Sequence, residues 1–263
     1  MNMHKELRIL LSVVASALYI FLYAPIVVVV AFSFNRSKHG VNWSGFTIDW
    51  YARLLKNEVA IQAAKNSLIL ACSSTCLATV VGTLLGFGLH RYKFRGKSLF
   101  GWILFLPVVV PDIVFAVALL LFFGLLRDSL GIGNLGMTTM VLAHVTFQIP
   151  FVALVVRARC SGMNRALEEA ARDLGANGWQ TFRFVTFPLI LPGITSGALL
   201  AFTMSLDDFV VSFFTAGAGS TTLPILIYSS VKRGVTPEMN ALSTLMVLAS
   251  VILVLLFGMR KGK

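Results

Sequence analysis

Apolar runs of roughly twenty residues recur along the whole chain, and no other feature limits its fold as tightly. In hydrocarbon every backbone N–H and C=O must find a partner inside the segment, which leaves helices or a closed barrel. Barrel strands alternate apolar and polar residues; these runs do not. Charged residues make up 13% of the sequence, against about a quarter in a soluble domain. The reading is an all-α polytopic membrane protein with six transmembrane helices. The spans fall at about residues 9–33, 66–89, 98–125, 136–157, 188–215 and 238–258. The first is too long for a signal-peptide core and is read as a retained span.

An even number of spans puts both termini on one side, and Lys and Arg choose the side. The two termini, the 91–97 connection and the 157–187 connection together hold 14 of them, and the opposite connections hold 8. The positive-inside rule then predicts cytoplasmic termini. The net charge of +11 thus reflects topology, and nucleic-acid binding is not expected. On the outer side, residues 34–65 form a loop with a helix-start signal at Thr47 or Asp49. Cys72, Cys76 and Cys160 read as small apolar residues. The four histidines lack metal-ligand spacing, so no metal is expected. Gly82 and Gly86 form a GxxxG suited to close helix packing.

The inner segment reads ALEEAARDLGANGWQTFRFVTFPLILPG. Residues 166–174 are good helix formers, Ala170 and Ala171 leave a low surface beside Glu169, and Gly175 is placed to end the helix. Pro188 is read as the start of the fifth span. The spacing from Glu169-Ala170-Ala171 to Gly175, and on to Val185, Phe187 and Pro188, resembles the EAA loop of permease subunits of bacterial ABC importers. Val185 and Phe187 stand where Ile and Leu are more usual. The resemblance implies a type I importer permease (MetI-like) fold, one permease domain over 1–263, and a coupling helix that docks into a cytoplasmic ATPase. Gly96-Lys97-Ser98 looks like the end of a phosphate loop, but position 91 is Arg where the first Gly would stand. ATP and Mg are therefore expected on partner subunits, with no cofactor in this chain and no enzymatic site of its own.

Charge inside the spans speaks to the solute. Intramembrane acids are costly and line water-filled paths. Asp207 and Asp208 would lie about 28 Å along the fifth span, and Asp112 about 21 Å into the third. No Lys or Arg occupies the middle of a span, so the path favours cations. Neighbours on a regular helix point about 100° apart. Asp208, with Ser205 and Ser212 on its face, is expected to meet the path, and Asp207 a neighbouring helix or the outer mouth. Trp50 could offer its ring to an ammonium at the entrance. His144 and Gln148, four apart, are expected to make interhelical hydrogen bonds.

The segments SFNRSKHGVNWSGFTIDWYARLL, RYKFRGK, PVVVPDIV and FTMSLDDFVVSFF are similar to the spermidine/putrescine permeases, over nearly the whole chain. That resemblance implies a polyamine importer. It also implies a heterodimer with a second homologous permease, two cytoplasmic ATPases and a periplasmic substrate-binding protein, all in the inner membrane and its lipid. The alternatives are another cationic or small polar solute, or a proton-coupled secondary transporter. The latter class often carries internal repeats, which this sequence does not show. An aspartyl protease would need its two acids face to face, which neighbours on one regular helix are not.

Overall fold

The computed structural model describes residues 3–37 and 42–258. Lys38, Arg260, Lys261 and Lys263, which count towards the topology above, and His39 lie outside them. The described residues are helical almost throughout: α1 (Met3–Phe32), α2 (Asp49–Leu54), α3 (Glu58–Arg91), α4 (Lys97–Val109), α5 (Asp112–Leu130), α6 (Met137–Ser161), α7 (Ala166–Asp173), α8 (Gly178–Thr181), a π-helical turn (Phe182–Thr186), α9 (Phe187–Asp207), α10 (Val210–Thr215), α11 (Leu223–Val231) and α12 (Pro237–Gly258). Among the described residues, five helical runs are long and apolar enough to cross a membrane: Leu7–Phe32, Glu58–Arg91, Asp112–Leu130, Met137–Ser161 and Gly178–Asp207. The sixth expected span falls on α12, whose described apolar stretch is the shorter Pro237–Leu253.

Two expected spans are interrupted. The third is not one helix over 98–125. Val110 and Pro111 are extended (ψ 132° and 137°) and separate α4 from α5. Pro111 has no N–H to donate and forces its predecessor out of the helical region, so the helix stops and restarts. The fifth is not one helix over 188–215 either. It ends at Asp207, Asp208 is extended (ψ 124°), and α10 begins at Val210. Its start also differs from expectation. The helical run begins at Gly178, capped by Asn177, whose side chain accepts from the Gln180 N–H at 2.9 Å. Pro188 follows the π turn inside this run. The wider turn lets the chain absorb a residue that cannot donate its N–H.

The chain groups into two units. One comprises Met1–Ile61 and Leu226–Lys263. In it α12 packs on α1 and α2, and α1 keeps the apolar surface of residues 7–28 exposed, as a helix in lipid does. Asn35 organises the loop before α2. Its Nδ2 donates to the Asn42 carbonyl at 2.8 Å, and its carbonyl accepts from the Trp50 indole at 2.8 Å.

The other unit is Gln62–Ile225. Its axis is α6, the most buried span, which packs on α9, α10, α4 and α5. Val152, Val156 and Cys160 of α6 close on Ile190 and Ala201 of α9. Ala143 and Phe147 close on Ala116, Phe123 and Val211. Gly82, Gly86, Gly193 and Gly197 let α3 and α9 approach α6. A Cβ on Gly82 would sit 2.7 Å from Val152 Cβ, and one on Gly86 would strike the Ala153 carbonyl.

Candidate functional site

Both helix breaks open on one cavity. It holds about 350 Å³ and is lined by Asp112, Asp207 and Asp208, by the rings of Phe115, Phe147, Phe151 and Phe209, and by aliphatic neighbours. Asp112 is the first residue of α5 and is exposed. Asp207 is the last of α9 and is also exposed. Asp208 stands in the break itself. Its Oδ1 accepts from the Val211 N–H at 3.3 Å and its Oδ2 from the Ser212 N–H at 2.7 Å. It therefore caps α10, satisfying amides that a helix start leaves orphaned.

This corrects the divergence expected of the acid pair. The 100° rule holds inside a helix, and the helix ends between the two residues. Both carboxylates therefore line the same cavity. Asp112 joins them because its own helix begins there rather than running through from residue 98. A signal for the second break was present in the sequence: Asp ahead of an apolar stretch is a preferred N-cap.

Asp208 is backed by a buried polar chain. His144 Nε2 lies 3.3 Å from Asp208 Oδ2 and 3.0 Å from Ser212 Oγ. Its Nδ1 meets Ser205 Oγ at 2.7 Å. Ser205 Oγ lies 3.2 Å from Ser74 Oγ, and Gln148 Nε2 reaches Ser74 Oγ at 3.2 Å and the Ala201 carbonyl at 3.1 Å. His144, Gln148 and Ser74 are fully buried. Ser205, expected on the path, instead belongs to this packed interior. His144 and Gln148 do bond between helices, as expected. The chain fixes the end of α9 to α3 and α6, which holds Asp208 at the cavity wall.

Trp50, expected to show a free ring at an entrance, is buried in the other unit. Its indole bonds to Asn35, and the Arg53 guanidinium lies 4.9 Å from its ring centroid. One ring face is thus already engaged with a cation of its own helix.

At the basic end of the same unit as the cavity, α7 carries Glu169, Ala170 and Ala171 and stops at Gly175, whose φ of 88° favours glycine. Glu169 and Ala170 are exposed, and Ala171 is half-buried. The residue that the sequence reading missed is Glu168. It is buried, pairs with Arg91 at the end of α3, and accepts from the Thr186 hydroxyl at 2.7 Å in the π turn. Burial alone would raise its carboxyl. The hydrogen bonds from Thr186 and Arg91 and the charges of Arg91 and Arg172 outweigh that and hold it below the usual range. Among the described residues there is no cluster of His, Cys, Asp and Glu that could hold a metal ion.

Interrupted helices that meet at a carboxylate-bearing cavity, in a chain of several membrane spans, are the arrangement of a solute permease. The chain belongs to the family of binding-protein-dependent transport system inner membrane components, which it matches over residues 78–259. It is a multi-pass inner-membrane protein. It is 46% identical over 238 residues to the spermidine/putrescine transport system permease protein PotC of Haemophilus influenzae, covering 90% of this chain and 91% of that protein. It is 44% identical over 229 residues to the putrescine transport system permease protein PotI of Escherichia coli, covering 86% and 82%. Its fold matches a chain of a bacterial ABC transporter involved in import of the acidic polysaccharide alginate, with TM-score 0.77 at 18% identity over 100% and 98% of the two chains. It also matches a chain of the MetNI methionine ABC transporter, with TM-score 0.63 at 19% identity over 81% and 96%.

Proposed function

We propose that this chain forms half of the translocation path of an ATP-driven polyamine importer. The observation that carries the reading is the cavity where two broken helices bring three carboxylates together beside four phenylalanine rings. A polyamine is a string of ammonium groups joined by short methylene spacers. Carboxylates meet the ammonium groups, and the rings meet the spacers and, face-on, the charges. The names of the polyamine permeases that it resembles support the same solute class.

The power comes from outside the chain. Two cytoplasmic ATPases bind ATP and Mg, a second homologous permease completes the path, and a periplasmic protein delivers the solute. Both termini face the cytoplasm, and the whole chain is one permease domain. ATP binding closes the ATPase pair and moves α7 through Glu169, Ala170, Ala171 and the turn at Gly175, which opens the path outward; hydrolysis resets it.

Asp208→Asn removes the charge and keeps one of the two capping acceptors, since its amide oxygen can still accept from the Ser212 N–H. The expected result is polyamine uptake reduced at least tenfold in proteoliposomes with the complex intact. Uptake at the wild-type rate would leave Asp208 as a cap only and end its role in the path.

A further inference from the structure

A second cavity lies far along α6 from the acids, between the first turns of α4 and the basic end of α6. It holds about 440 Å³ and is lined by Lys97, Ser98, Gly101, Trp102, Phe105 and Arg157. We propose that it is a binding site for an anionic phospholipid, with the phosphate between Lys97 and Arg157 and the upper acyl chain along Gly101, Trp102 and Phe105.

Its lining is divided as such a lipid is divided. Two cations and a hydroxyl stand at the polar end, and an apolar wall follows along α4. Lys97 Nζ gives one hydrogen bond to the Tyr92 carbonyl at 3.1 Å and keeps two donors. Among the described residues neither Lys97 nor Arg157 has a carboxylate partner. They belong to a larger cluster, since Arg91, Lys97, Arg157 and Arg165 all lie within electrostatic reach of His90. Only Arg91 of these is neutralised by an acid. α4 starts at Lys97, so its first-turn amides add partial positive charge at the same end. Trp102 is 74% exposed, and an exposed indole suits the headgroup boundary. A Cβ on Gly101 would meet nothing within 4 Å, so the glycine leaves a notch. Basic pockets between membrane helices near the headgroups are sites for acidic lipids. The paired cations and the apolar wall beside them make the site, whatever solute the path carries.

The test is native mass spectrometry of the full complex in nanodiscs of phosphatidylglycerol mixed with phosphatidylcholine. Each basic contact with an acidic lipid is worth roughly fivefold, so the pair should favour phosphatidylglycerol by about twenty-five-fold. The double variant Lys97→Gln/Arg157→Gln should lose that preference. Gly101→Leu should lose it too, by filling the notch with both charges kept. Lys93→Gln/Arg95→Gln, which removes the same charge from the neighbouring loop, should retain it. The proposal is overturned by equal retention of the two lipids, or by equal loss in the loop variant. Displacement by inorganic phosphate, or a photo-crosslinker at position 102 that captures a partner chain rather than lipid, would also overturn it.

Discussion

Glu168→Ala removes the acceptor that ties α7 to both Arg91 and Thr186. Breaking a buried ion pair by deleting one partner costs about 3–5 kcal/mol, because the other charge stays buried. Here the Glu168 side chain is 8% exposed but that of Arg91 is 29% exposed, so water takes up part of the loss. About 2 kcal/mol should remain as weakened docking of α7, a factor of roughly thirty in its docked-to-undocked ratio. Hydrogen exchange on residues 166–174 in the purified complex reads that ratio directly. Exchange there should accelerate about thirtyfold, while α6 and α9 stay protected. Glu168→Gln keeps an acceptor for Thr186 and should fall in between. The charge swap Arg91→Glu/Glu168→Arg should recover part of the protection. The functional consequence is slippage, with more ATP hydrolysed per solute moved, because an undocked α7 does not drive α3. Unchanged exchange with unchanged coupling in Glu168→Ala would refute the idea that this pair positions the helix.

Further tests follow from the same geometry. The Glu168 carboxyl is held below its ordinary value, so its contribution is complete above the ordinary carboxylate range and is lost as pH falls through the lowered value. Exchange of α7 should therefore be flat with pH, after correction for intrinsic rates, down to the ordinary range, and rise only below it. Glu169→Lys, at the exposed neighbour, should leave α7 protection unchanged and abolish transport while the binding protein still captures solute. Gly86→Leu forces a side chain into the Ala153 backbone and should destabilise the α3–α6 packing by at least about 1–3 kcal/mol, seen as a lowered melting temperature of the detergent-solubilised protein. Asp208→Ala, unlike Asp208→Asn, loses the α10 cap as well as the charge. It should cost about 1 kcal/mol more stability than the amide variant in the same melting assay.

Hydropathy is local, so the apolar spans could be read directly, although the third and fifth are each two helices rather than one. The helix-start signal before α2 and the end of α7 at Gly175 were legible for the same reason. The acids of the proposed path could also be picked out, since Asp112, Asp207 and Asp208 stand in apolar runs with no Lys or Arg in the middle of a span. What the sequence could not decide was which side chains meet. Pro111 and Asp208 were visible as residues, but whether a helix bends, continues or stops at each depends on what fills the gap. Here a shared cavity, an N-cap and the His144 chain do so. Glu168 and Glu169 are chemically identical neighbours, and only the positions of Arg91, 77 residues earlier, and of Thr186 make one a buried latch and leave the other exposed. The membrane, the helices and the sign of the charge follow from composition and short-range periodicity, which any stretch of the chain carries on its own. The tertiary structure alone decided which acids share a cavity and which one anchors α7, because contacts between residues distant in the chain are set by packing.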